Sequence, residues 1–216
     1  MKEDRLKFSE MSIGWLPRDR ELDDSGFSLL EFIIASAILL VICASVFNVL
    51  ADTLRVASYQ TEVQSVVEHT RLALETVERI LCQAGNDPNS TGLVGLTIMS
   101  SSEVRVRSDL TGSAGTDKGD PDGDSSDSGE DVTIQYDGGS RSLELIPHPG
   151  SAQSVANNIT AFSLRFYDAA DAVTTTGAEV QRARIAITGA TTTANPQTRE
   201  VFSLELASDV QLAARR

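Results

Sequence analysis

The residues able to do chemistry fall in two places. The first is Gly26-Phe27-Ser28-Leu29-Leu30-Glu31, where a small residue, an aromatic and one carboxylate stand at the head of a long apolar run. Cleavage of the Gly26–Phe27 bond would leave a positively charged amine on Phe27. Glu31, four residues on, would then lie one helical turn away. An unpaired carboxylate in hydrocarbon costs about 2.5–3.5 kcal/mol on insertion scales, so such groups have partners. The chemistry on offer is peptide-bond processing followed by charge pairing. The competing reading puts Glu31 at the membrane interface, reaching into water.

The second place is acidic. Asp120, Asp122 and Asp124 alternate, with Asp127, Glu130 and Asp131 behind and Asp117 before. Alternating acids with a further acid about seven residues on resemble an EF-hand loop, and oxygen ligands in this number suit a structural Ca²⁺. Ser125 stands where that loop carries glycine, and Pro121 stiffens its start. The same residues read as a solvated, self-repelling loop; no other cofactor is implied.

Other chemistry is excluded by what is missing. His69 and His148 with Cys43 and Cys82 give no zinc ligand set. No Ser/His/Asp or Cys/His set and no phosphate loop appears, so the chain does not read as an enzyme. The net charge of −13, with no basic patch carrying interleaved aromatics, argues against nucleic acid as a partner. On one helix Cys43 and Cys82 would sit roughly 58 Å apart, too far for a disulfide. Cys82 reads as a buried small hydrophobe.

The elements that must position these groups follow in order. Residues 1–26 are polar and mixed in charge, a leader with no hydrophobic period. Residues 27–50 hold an apolar run of about the 20 residues needed to span a bilayer. Lys2, Arg5, Lys7, Arg18 and Arg20 precede it and only Arg55 follows closely, which places the N-terminus in the cytoplasm and the bulk of the chain outside. From 51 to 85, Val56, Tyr59, Val63, Val66, Ala73, Val77 and Ile80 recur at steps of three and four, with Val67, Leu74 and Leu81 alongside, one face of a helix. No proline interrupts 27–85, so the two halves read as one helix that ends at Gly85. From 86 to 216 the period turns to two, as in Val104/Val106, Ile134/Tyr136 and Phe162/Leu164/Phe166, and "YDGGS" reads as a hairpin turn. The fold class is α+β: a long N-terminal helix, half transmembrane and half amphipathic, packed on an antiparallel β-sheet head. The acidic stretch 111–131 is a loop within that head.

"SGFSLLE" ahead of a long apolar helix resembles the signal of type IV pilins and of type II secretion pseudopilins. The resemblance implies cleavage between Gly26 and Phe27 by a prepilin peptidase, N-methylation of Phe27, and pairing of Glu31 with the terminal amine of a neighbouring subunit during assembly. It implies other pilin subunits and an inner-membrane assembly platform as partners. It places the chain in the inner membrane as a single-pass protein with a periplasmic head, and then in a pilus or pseudopilus. "RLALETVERILCQAGND", "EDVTIQYD", "AFSLRFYDAAD" and "RARIAIT" are similar to PilW-type minor pilins, which implies a role in pilus assembly, initiation or the tip. The alternative is a J-like pseudopilin acting in protein secretion.

Overall fold

A computed structural model describes residues 27–112 and 119–212. Gly26, the leader and Asp117 lie outside the described residues. The chain divides between Val49 and Leu50 into two units.

The described part of the first unit is the start of helix α1, Leu29–Gln83. Its side chains cover the surface all round, and Phe32, Val41 and Phe47 are each more than two-thirds exposed. The helix is long and apolar enough to cross a membrane, and none of its apolar window is buried within the protein.

In the second unit the rest of α1 buries Val66, Thr70, Ala73, Thr76, Val77 and Leu81. These fall along one face, at the steps expected of an amphipathic helix. Val56, Tyr59, Val63, Val67, Leu74 and Ile80 are half-buried beside them. Thr70 and Thr76 interrupt the apolar stripe; the Thr70 hydroxyl is satisfied by the Val66 carbonyl at 2.6 Å. The helix stops at Gly85, whose φ of +70° suits glycine and whose N–H donates to the Arg107 carbonyl at 2.9 Å.

Among the described residues eight strands follow: β1 (Leu96–Ser100), β2 (Glu103–Arg107), β3 (Asp131–Asp137), β4 (Ser142–Pro147), β5 (Gln153–Ala156), β6 (Ile159–Tyr167), β7 (Arg182–Ala194) and β8 (Val201–Gln211). Every pairing is antiparallel. At the β3–β4 turn the Asp137 carboxylate accepts from the N–H groups of Gly139 and Ser140.

The head is not the one sheet expected from the sequence. Strands β1 to β5 form a five-stranded sheet in sequence order, and β6 to β8 form a separate three-stranded one. The break falls at Asn157-Asn158, between β5 and β6. Asn158 takes a left-handed conformation, φ +63°, which asparagine tolerates better than most residues. The Ile159 N–H then donates to the Arg141 carbonyl and Ala190 N–H to the Asn158 carbonyl, so this corner is tied to both sheets.

The two sheets and the helix share one core. Val104, Ile134 and Leu143 come from the first sheet, Phe162, Ile185 and Ile187 from the second, and Ala73, Val77 and Leu81 from α1. Removing a fully buried Leu or Ile from such a cluster costs about 2–5 kcal/mol. The helix therefore works as the third layer of the head.

Candidate functional site

Helix α1 opens with a capping box. Ser28 precedes the first helical residue, and its hydroxyl accepts from the Leu30 N–H at 3.3 Å. Glu31 reaches back, its Oε2 accepting the Ser28 N–H at 3.0 Å. Helix starts leave their first N–H groups without backbone partners, and the S-x-x-E pattern satisfies two of them reciprocally. A carboxylate in the first turn also complements the positive end of the helix dipole. The Ser28–Glu31 spacing carries this cap in the sequence itself. The structure supplies a partner within the chain, and it engages only one of the two carboxylate oxygens.

Phe27 stands before the cap and is 84% exposed. Behind the cap, the hydroxyls of Ser36 and Ser45 are satisfied locally by the carbonyls of Phe32 and Val41, at 2.7 and 2.8 Å. Such back-bonded serines present little unsatisfied polarity to hydrocarbon. Among the described residues the segment thus offers an exposed aromatic, one carboxylate with a free oxygen, and an apolar surface against which no described residue packs.

The six acids of the second candidate site do not converge. Asp131 is buried and makes a bidentate pair with Arg105, at 2.7 and 2.5 Å. Glu130 is 1% exposed, and its Oε1 accepts from the N–H groups of Leu110 and Thr111, each at 2.7 Å. Its Oε2 takes the Asp127 N–H at 3.3 Å. Asp122 and Asp124 accept from the N–H groups of Asp124 and Ser126, and the latter bond draws the Asp124 carboxyl below its usual pKa. Asp120 is exposed. Among the described residues no three His, Cys, Asp or Glu side chains gather as a metal would require. The anchor of the loop is Asp109, wholly buried, which accepts the N–H groups of Asp122 and Gly123 at 3.1 and 3.0 Å. Asp109 sits eleven residues before the alternating acids, outside the motif, and no spacing rule points to it.

A third carboxylate was also illegible. Glu62, on α1, accepts four bonds from the end of β7: the N–H of Thr192 at 2.5 Å, its hydroxyl at 2.6 Å, and the N–H and hydroxyl of Thr193. These donors, the Thr192 and Thr193 hydroxyls foremost, lower its pKa from 4.5 to about 2. They clasp the helix to the second sheet. The residues lie 130 positions apart, so the pairing is a property of the fold alone.

Cys82 departs from expectation. It is exposed and, like Cys43, unpaired. It borders a shallow depression of about 720 Å³ lined also by Asp168, Asp171, Gln181, Arg182 and Gln211. The buried face of the helix end is supplied instead by Leu81 and Ala84.

No protein-family model matches this chain, and no curated protein or solved structure matches it. What fold and site define is a class: an N-terminal apolar helix of membrane-spanning length, packed in its second half on two antiparallel sheets.

Proposed function

We propose that the chain is a filament subunit of the type IV pilin class, a minor pilin that is cut after Gly26, N-methylated on Phe27 and assembled by helix packing. The observation that carries this reading is the arrangement at the head of α1: Phe27 exposed, Ser28 capped, and Glu31 with one oxygen on the cap. Glu31 Oε1 is left for a second donor. In an assembled filament that donor is the amine of Phe27 on an adjacent subunit. The pairing removes an otherwise costly charge from hydrocarbon and sets the register between neighbouring helices. The exposed apolar surface from Phe32 to Leu50 is the packing surface, facing lipid before assembly and other subunits after it.

Before cleavage the polar leader holds the N-terminus on the cytoplasmic side and keeps the Phe27 nitrogen in a peptide bond, unable to carry charge. Processing therefore creates the cation that assembly needs. In this reading the head sits in the periplasm and then on the filament surface.

Mass spectrometry of the mature protein from its native host is the test. The expected species begins at an N-methylated Phe27. An intact leader in cells with an active prepilin peptidase overturns the proposal. Loss of surface pili on deleting the gene, with secretion intact, separates the minor pilin from the J-like pseudopilin alternative, which predicts the reverse.

A further inference from the structure

The outer face of the β6–β7–β8 sheet carries two arginines that no described residue pairs. The register aligns Tyr167, Arg182 and Gln211 in one cross-strand row, Arg165, Arg184 and Asp209 in the next, and Ser163, Ala186 and Ala207 in the third. Arg182 is fully engaged. It lies 4.0 Å over the Tyr167 ring, pairs with Asp171, and takes Asp209 at 2.6 Å.

That pairing uses Asp209, the acid in register with Arg184. Arg165 and Arg184 are left directly opposite each other, both exposed, with no ion pair or side-chain hydrogen bond among the described residues. Like charges facing each other across an antiparallel pair are unfavourable. In a chain of net charge −13, two facing arginines that form no ion pair are an odd concentration of the minority charge. Beside them the small side chains of Ser163, Ala186 and Ala207 leave a depression of about 320 Å³, which Glu205 also lines without pairing with either arginine. Two guanidinium groups at the rim of a small-floored depression suit carboxylates, which arginine binds in a planar fork.

The same chain carries the complementary surface. Between Gly119 and Glu130 there is no lysine or arginine, and Asp120, Asp122 and Asp124 are exposed. No ion pair joins them to any described arginine; the loop is instead pinned by its backbone to Asp109. Two unpaired arginines and an acidic segment that do not meet within one copy can meet between two. The contact is heterologous, one patch of one copy on a different patch of the next, which is the type that propagates along an assembly.

We propose that the outer face of the β6–β7–β8 sheet docks the acidic segment Gly119–Glu130 of a second copy of this chain, with Arg165 and Arg184 receiving its exposed aspartates. This contact is independent of how the N-terminus is processed. The test uses the full chain in its host membrane with a photoreactive residue, Ala161→p-benzoylphenylalanine, on the same face. Illumination should yield a dimer whose cross-linked peptide contains residues 119–130. The yield should fall about tenfold in Arg165→Glu/Arg184→Glu, the scale on which close interfacial charge pairs act. It should fall likewise in Asp120→Asn/Asp122→Asn, where the substitutions lie on an exposed loop and leave the sheet untouched. Co-expressing the Arg→Glu chain with an Asp120→Arg/Asp122→Arg chain should restore it. A cross-link to another segment, another protein or lipid overturns the proposal. So does an unchanged yield in both charge variants, or no adduct at all.

Discussion

The Ser28 N–H donates to Glu31 Oε2 at 3.0 Å, closing the first turn of α1. This bond gives Glu31 a capping role distinct from the pairing role proposed for it, and alanine would abolish both. Glutamine can still close a capping box but carries no charge to hold an amine. Glu31→Gln should therefore keep the helix start intact and lose filament incorporation. Glu31→Ala should lose both, with the cap worth about 1 kcal/mol. Amide exchange at Ser28 in detergent micelles reads the first effect, and subunit content of sheared filaments the second. Normal incorporation of Glu31→Gln would leave Glu31 only its capping role.

Glu62 predicts an acid-sensitive clasp. Its pKa is lowered from 4.5 to about 2 in the folded chain, so its contribution is fully present above 4.5 and is lost as pH falls through about 2. The difference in stability between wild type and Glu62→Ala should be constant above pH 5 and shrink below 4.5. Asp87 and Asp137 also have lowered pKa values, chiefly from Thr91 N–H and the Ser140 hydroxyl, and add their own acid dependence. Only the difference profile isolates Glu62. At neutral pH the substitution should cost about 1 kcal/mol, discounted for partial exposure. Thermal melts across pH read both values, and parallel profiles for the two proteins would show that the clasp does not titrate.

Local pattern made much of this molecule legible. Steps of three and four locate the buried face of α1 through Val66, Ala73 and Val77, and Gly85 marks its end because a positive φ is needed there. Alternation in Phe162, Leu164 and Phe166 locates β6 and its inward face. Strand β5, Gln153–Ala156, escapes because only two of its four residues are apolar. The division into two sheets escapes because strand partners are chosen by long-range register, and the corner at Asn158 leaves no hydrophobic signature. Ser28 and Glu31 were legible as a cap by spacing alone. Glu62 and Asp109 were not, since their donors lie far along the chain and are backbone or threonine groups.

The crossing of β7 over α1 depends on a missing side chain. A β-carbon at Gly189 would stand 2.1 Å from Thr70 Oγ1 and 3.1 Å from Val66 Cγ1. Thr70 and Val66 are both fully buried, so neither has room to yield. Gly189→Ala should destabilise the head by about 1–3 kcal/mol. Thr70→Ala removes the atom in the way, so the double variant should recover part of that loss. Thermal unfolding of the four proteins of this cycle reads the coupling, and strict additivity would mean that the strand shifts instead of clashing.

The acidic loop is held by carboxylates that accept from N–H groups and an arginine, an arrangement that needs no cation. Asp109→Ala would strand the Asp122 and Gly123 N–H groups beside a cavity, at a cost of about 1–3 kcal/mol. Protease cleavage between Gly119 and Glu130 should then rise several-fold through local opening, while the strands stay protected. Glu130→Gln keeps an oxygen for the Leu110 and Thr111 N–H groups and should have the smaller effect. Millimolar Ca²⁺ should leave the melting temperature and the cleavage rate of the wild-type chain unchanged, because Asp131 and Glu130 are already committed to Arg105 and the backbone. A calcium-dependent rise in melting temperature that Asp120→Asn and Asp124→Asn abolish would show instead that the loop rearranges to gather its carboxylates around the ion.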